Sequence, residues 1–156
     1  MASLKKDNFV LMVPGHPSSL SVIRWVVTRL ARAADLTPDQ VDQIEIAVDE
    51  ACTNVIEHAY ESLLPKPPIH LEIQTKDEQF VVDVIDCGQA FDYDSFVSPK
   101  IPEHWLEGHE RGVGIFLIRQ CMDEVLYDVL PDERNRMRLV KKRHPLPLSE
   151  SQPDPC

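Results

Sequence analysis

The sequence predicts an α+β fold, a two-layer α/β sandwich in which helices cover one face of a mixed, mostly antiparallel sheet. Three observations predict it. Hydrophobic periodicity orders the elements as β-α-α-β-β-loop-α-β-β. Two strand pairs are joined by the short turns Lys76-Asp77-Glu78 and Pro131-Asp132-Glu133, as antiparallel hairpins are. The 156 residues, 43% hydrophobic and 27% charged, suit one globular domain able to bury a core. Helices and hairpins grouped in this way, without strict β-α alternation, select the sandwich.

Residues 8–13, NFVLMV, read as a strand stopped by Pro14-Gly15. A helix follows from about Pro17 to Ala34, with Leu20, Ile23, Val27, Leu30 and Ala31 at helical spacing. Trp25 within it reads as core, and Trp105 further on as loop packing. At Thr37-Pro38-Asp39 a hydroxyl N-cap, a proline in the first helical position and a first-turn carboxylate start the second helix. That helix runs to about residue 60 on a stripe of Val41, Ile44, Val48, Ala51, Val55 and Ala59. Leu64-Pro65-Lys66-Pro67-Pro68 cannot continue a helix. Ile69, Leu71 and Ile73 then alternate with His70, Glu72 and Gln74 as a half-buried strand that pairs with residues 79–86. Residues 87–111 lack periodicity, and a loop of that length inside a domain is usually functional, for example a lid. Residues 112–122 read as a helix entered through glycines, and 124–130 and 135–142 as closing strands. The Pro-rich stretch 144–156 reads as a disordered tail after a single domain at 1–143.

Charge and cysteines narrow the function. Sixteen Lys+Arg against 26 Asp+Glu leave a net charge of −10, the wrong sign for direct binding to nucleic acid or an anionic membrane. Six basic residues between Arg134 and Arg143 crowd the last strand and read as the guarded edge of a sheet. Cys52, Cys87, Cys121 and Cys156 form no C-x-x-C pair and no zinc-ligand spacing with the histidines, as expected of reduced thiols. The N-terminus carries only a five-residue apolar stretch, too short for a signal peptide, and no apolar run approaches the roughly 20 residues that span a bilayer. The expectation is a cytoplasmic protein.

Three segments carry chemistry. In EIAVDEACTNVIEHAY, Glu50 and Asn54 are four residues apart and lie on one helix flank with Ala47, away from the apolar stripe. An amide oxygen there can ligate Mg²⁺, and a carboxylate one turn away can take a proton from a nucleophile. A solvated helix face explains the same pair. His58, one turn beyond Asn54, reads as a packed or hydrogen-bonded histidine or as a ligand. Asp86-Cys87-Gly88 follows a strand, so Asp86 can accept from an exocyclic amine such as that of adenine while Gly88 allows close approach; a plain turn is the alternative. Gly108 to Gly114, GHERGVG, leads into a helix whose N–H groups suit a phosphate, with Arg111 as an added cation.

Together AVDEACTNVIEHAY, VIDCG, ERGVGIFLI and MDEV closely resemble the anti-sigma-factor serine/threonine kinases of the superfamily that includes gyrase, Hsp90, histidine kinases and MutL, over roughly residues 8–142. The resemblance implies a Bergerat-type sandwich that binds ATP and Mg²⁺ under a lid. It implies Glu50 as general base, Arg111 near the γ-phosphate, Asn54 as the Mg²⁺ ligand and Asp86 as the adenine contact. Gly88, Gly112 and Gly114 would give backbone room, and His58, Gly108 and Val113 would complete the nucleotide-binding set. Family members phosphorylate a serine on an anti-anti-sigma protein of STAS fold and alternately sequester a sigma factor, usually as homodimers. Where they commonly have Gly-Thr entering the last strand, this chain has Asn135-Arg136-Met137. That difference favours the alternative function, an ATP-binding module that holds a protein partner without phosphoryl transfer.

Overall fold

The computed structural model describes residues 7–96 and 110–143. Strand β1 (Asp7–Val13) leads into helix α1 (Ser19–Ala33) and helix α2 (Pro38–Asn54). The hairpin of β2 (Ile69–Lys76) and β3 (Gln79–Asp86) follows, then helix α3 (Glu110–Cys121) and the pair β4 (Glu124–Val129) and β5 (Asn135–Lys142). The strands form one sheet in the order β1-β2-β3-β5-β4. All four pairings are antiparallel, so the expected admixture of parallel strands is absent from the described residues.

Strand alternation decides which face the helices cover. Leu71 and Ile73 of β2, Val82 and Val84 of β3 and Leu139 of β5 share one face. They join Ile23 and Val27 of α1, Ile44 and Val48 of α2, and Ile115 and Ile118 of α3 in one core, each at most 1% exposed. Each such side chain contributes about 1.5–3 kcal/mol by leaving water. Trp25 is not in this core. It lies two residues beyond Ile23, off the buried stripe, is 65% exposed, and its ring has the Arg29 guanidinium 5.8 Å from its centroid.

The start of α2 behaves as its sequence requires. Thr37 Oγ1 accepts from the Gln40 N–H at 3.2 Å, and Gln40 Oε1 accepts from the Thr37 N–H at 3.1 Å, a reciprocal capping box with Pro38 inside it. Gln40 is buried, and its Nε2 also donates to the Lys142 carbonyl at 2.9 Å, tying the helix start to β5. The far end of α2 departs from expectation. The α-helix stops at Asn54 and continues as a π-turn over Val55–Ala59, closed by the Tyr60 N–H on the Val55 carbonyl. The wider turn frees carbonyls. That of Ile56 accepts from Lys66 Nζ in the Pro-rich connection, and that of Ala59 accepts from the Gln89 N–H. Tyr60 is fully buried, with its hydroxyl donating to the Pro68 carbonyl at 2.9 Å.

Strand β5 is not the edge its basic residues suggested, since it lies between β3 and β4. The arginines meet carboxylates on neighbouring strands: Arg138 forms two bonds with Asp83, and Arg136 two with Asp128, at 2.7–2.9 Å. Lys141, on the helix side of β5, donates to the Cys121 carbonyl at the end of α3, where a cation complements the helix dipole. The first described stretch of the long loop includes a 3-10 turn at Tyr93–Phe96. The remainder of that loop, with Trp105, Gly108 and His109, and the tail 144–156 lie outside the described residues.

Candidate functional site

The flank of α2 that carries Glu50 and Asn54 is covered, because α3 packs along it. Ala47 is completely buried and Asn54 is 7% exposed, while Glu50 between them is half-buried, so this flank borders the core and is only partly open to solvent. The close approach depends on Gly114. A Cβ there would stand 2.8 Å from Glu50 Oε2 and 3.5 Å from Asn54 Nδ2. Helix α3 begins at Glu110, two residues before the expected start, so Gly112 and Val113 fall among its first four N–H groups, which have no intrahelical acceptor. Gly114 therefore supplies space more than a donor. Arg111 is placed in α3 by its backbone, and its side chain lies outside the described set.

An open cavity of about 350 Å³ is lined by Glu50, Thr53, Asn54, Glu57, His58, Val113 and Gly114. Burial, then the neighbouring carboxylates of Asp49 and Glu57, push the Glu50 carboxyl above the ordinary glutamate range. Asn54 Nδ2 is buried without a hydrogen-bond partner. A second, narrow cavity of about 20 Å³ lies against the first and shares Asn54. Its wall includes Asp86, Gln89, Phe91, Tyr127 and Met137. That volume holds about one water. Gly88 closes the turn against the π-turn, where any Cβ would overlap the Ala59 carbonyl.

Of the residues singled out in the sequence, Glu50, Asn54, His58, Val113 and Gly114 line one cavity, and Asp86 joins them through Asn54. Thr53 and Glu57 were missed although the helical repeat places Thr53 beside Glu50 and Glu57 beside Asn54. Phe91, Tyr127 and Met137 were missed because their sharing of a wall depends on the loop folding over β4 and β5. There the Phe91 and Tyr127 rings lie 4.6 Å apart, the Tyr93 and Tyr127 rings 5.9 Å apart, and the Arg119 guanidinium of α3 sits 4.5 Å from the Tyr93 ring centroid.

The arrangement fits a metal-bound nucleotide. A buried amide without a partner, a glycine whose side chain would fill the cradle, helix-start N–H groups with no intrahelical acceptor and a carboxylate of raised proton affinity all stand together. Among the described residues no group of three or more His, Cys, Asp or Glu is placed to hold a metal ion. No helix among them is long and apolar enough to cross a membrane.

Known proteins resemble this chain over nearly its whole length. The profile of the histidine kinase-like ATPase domain matches residues 13–141. The serine-protein kinase RsbW of Bacillus subtilis is 31% identical over 123 residues, 76% of each chain. That of Halalkalibacterium halodurans is 34% identical over 126 residues, 76% of this chain and 74% of its own. Among solved structures, one from the SiaB–SiaC complex of Pseudomonas aeruginosa superimposes with a TM-score of 0.62 over 85% of this chain and 88% of its own, at 15% identity. The RsbU and RsbW domains of Rv1364c from Mycobacterium tuberculosis match equally well, at 14% identity over 87% of this chain and 32% of that one. At such identities the structures speak to the fold.

Proposed function

The chain belongs to the histidine kinase-like ATPase family, within its serine-protein kinases, and from that premise we propose an ATP- and Mg²⁺-dependent kinase that phosphorylates a serine on an anti-anti-sigma protein of STAS fold. In the same proposal it alternately binds a sigma factor, acts as a homodimer and works in the cytoplasm. The observation that carries this reading is the convergence on Asn54, which lines both cavities, touches the Gly114 cradle and has a buried N–H group without a partner.

When bound, Mg·ATP supplies the transferable phosphoryl group and neutralises part of its charge; positioning is left to the protein. Asn54 would hold the cation through its amide oxygen. The first-turn N–H groups of Gly112 and Val113 would bind the anion, and an arginine at 111 would add a cation to the set. Glu50 takes the proton of the attacking serine hydroxyl, and its raised proton affinity brings it nearer to the operating pH of a general base. Asp86 would accept from the base amine, Gly88 lets its turn approach the π-turn, and His58 lines the cavity that would take the phosphates. The stretch Asn135–Met137, which favours a binding module without transfer, reaches the Asp86 turn through Asn135.

Incubating the full chain with labelled ATP, Mg²⁺ and a candidate STAS-domain partner tests the proposal. Phosphoserine should form on the partner, and Asn54→Ala should reduce its formation at least about 100-fold. Undiminished transfer by that variant would remove the metal role. Tight ATP binding without transfer to any cognate partner would choose the binding-only function.

A further inference from the structure

The cavity at Asp86 has an aromatic wall assembled from two distant segments. Phe91 of the long loop and Tyr127 of β4 both line it. Their rings lie 4.6 Å apart, and the Phe91 N–H donates to the Tyr127 hydroxyl at 3.4 Å. Tyr93 packs on both, edge to face with Phe91 at 6.2 Å and stacked with Tyr127 at 5.9 Å. Residues 87–92 form no helix or strand, so side-chain contacts of this kind place Phe91. Arg119, in the last turn of α3, meets the group through Tyr93, with its guanidinium carbon 4.5 Å from the ring centroid. Tyr93 is 8% exposed, and neither its hydroxyl nor Arg119 Nε has a hydrogen-bond partner among the described residues. The ring face is therefore the contact that holds the guanidinium, and a desolvated cation is held there more strongly than an exposed one.

We propose that Arg119 is a positioning residue for nucleotide binding, which seats the Tyr93 ring and so fixes Phe91 as the wall of the base side. The proposal rests on the cavity at Asp86 being that base side. Arg119 lines neither cavity and acts only through the rings. A wall ordered before the ligand arrives spares the complex the cost of ordering it. Helix α3 then serves both ends of the ligand. Val113 and Gly114 near its start line the larger cavity, and Arg119 near its end steadies the wall of the smaller one.

The test measures dissociation constants for Mg·ATP and, by displacement of ATP, for Mg·tripolyphosphate, which has no base. The full chain is compared with Arg119→Met, Tyr93→Leu and the double variant, with thermal melts of each. Methionine keeps an apolar stem and removes the cation. Arg119→Met should weaken ATP about tenfold and leave tripolyphosphate within about twofold. The double variant should bind ATP within about twofold of Tyr93→Leu, because the cation acts through that ring. If Arg119→Met does not melt cooperatively, Arg119→Gln takes its place with the same expectation. Equal losses for both ligands would mean that Arg119 supports α3 as a whole, which overturns the proposal. Single effects that multiply in the double variant overturn it too, as does unchanged or tighter ATP binding by Arg119→Met. Where tripolyphosphate does not displace ATP from the parent chain, the double-variant comparison decides. Each of these outcomes leaves the nucleotide site standing, whereas a parent chain that binds no ATP overturns the proposal and the functional reading together.

Discussion

At the scale of the residue, Glu50 shows how an environment adapts a common side chain. Its proton affinity is raised first by burial and then by Asp49 and Glu57. The native state therefore holds this proton to a higher pH than the unfolded chain does, and the ionised group destabilises the fold. Stability attributable to Glu50 declines as pH rises from the ordinary glutamate value of 4.5 through the raised one. Glu50→Gln removes that loss. Its melting temperature should exceed the parent's by about 1–3 °C near pH 7.5, and the difference should vanish below the ordinary glutamate value. In the transfer assay the same variant should bind ATP normally and turn over about 100-fold or more slowly. Unchanged turnover would take Glu50 out of the chemistry, whereas an unchanged melting difference across pH would contradict its shifted titration.

At the scale of the element, the site depends on two close approaches made by glycine, and the two respond differently to substitution. At Gly114 the obstacle to a Cβ is Glu50 Oε2, the far end of a flexible side chain. Gly114→Ala gains helix propensity of about 1 kcal/mol, so stability should hold or rise while the displaced Glu50 slows transfer. At Gly88 the obstacle is the Ala59 carbonyl and carbon, which are backbone and receive the Gln89 N–H. Gly88→Ala should cost about 2–3 kcal/mol in urea unfolding, because the turn and the π-turn must move apart. The helix starts and stripes responsible for these elements are legible in the sequence. Thr37, Pro38 and Asp39 announce α2, and Ile23, Val27, Ile44 and Val48 mark the faces to be buried. The π-turn is not legible, because the bonds that stabilise it come from Lys66 and Gln89, outside the helix itself.

At the scale of the whole molecule, helices cover one face of the sheet, while the other carries ion pairs across strands. Asp83 is 2% exposed and depends on Arg138, whose side chain is 34% exposed. Removing the arginine strands a buried carboxylate; removing the carboxylate leaves a cation that water can reach. Arg138→Met should therefore destabilise by about 3 kcal/mol and Asp83→Asn by about 1–2 kcal/mol in chemical unfolding. Equal costs would show that the pair is not so asymmetrically buried. The sequence by itself determined the order of elements, the α+β class and the Thr37 cap of α2, and it marked a short set of polar residues as candidates to handle a phosphate, because period, turn chemistry and capping are local properties of the chain. Only the tertiary structure decided that the Glu50–Asn54 flank is covered, that β5 is interior, that Trp25 faces solvent, and that Asn135 bonds to Asp86 from a strand 49 residues further along. These follow from which distant segments bury one another, and local periodicity marks a face for burial without naming the segment that will cover it.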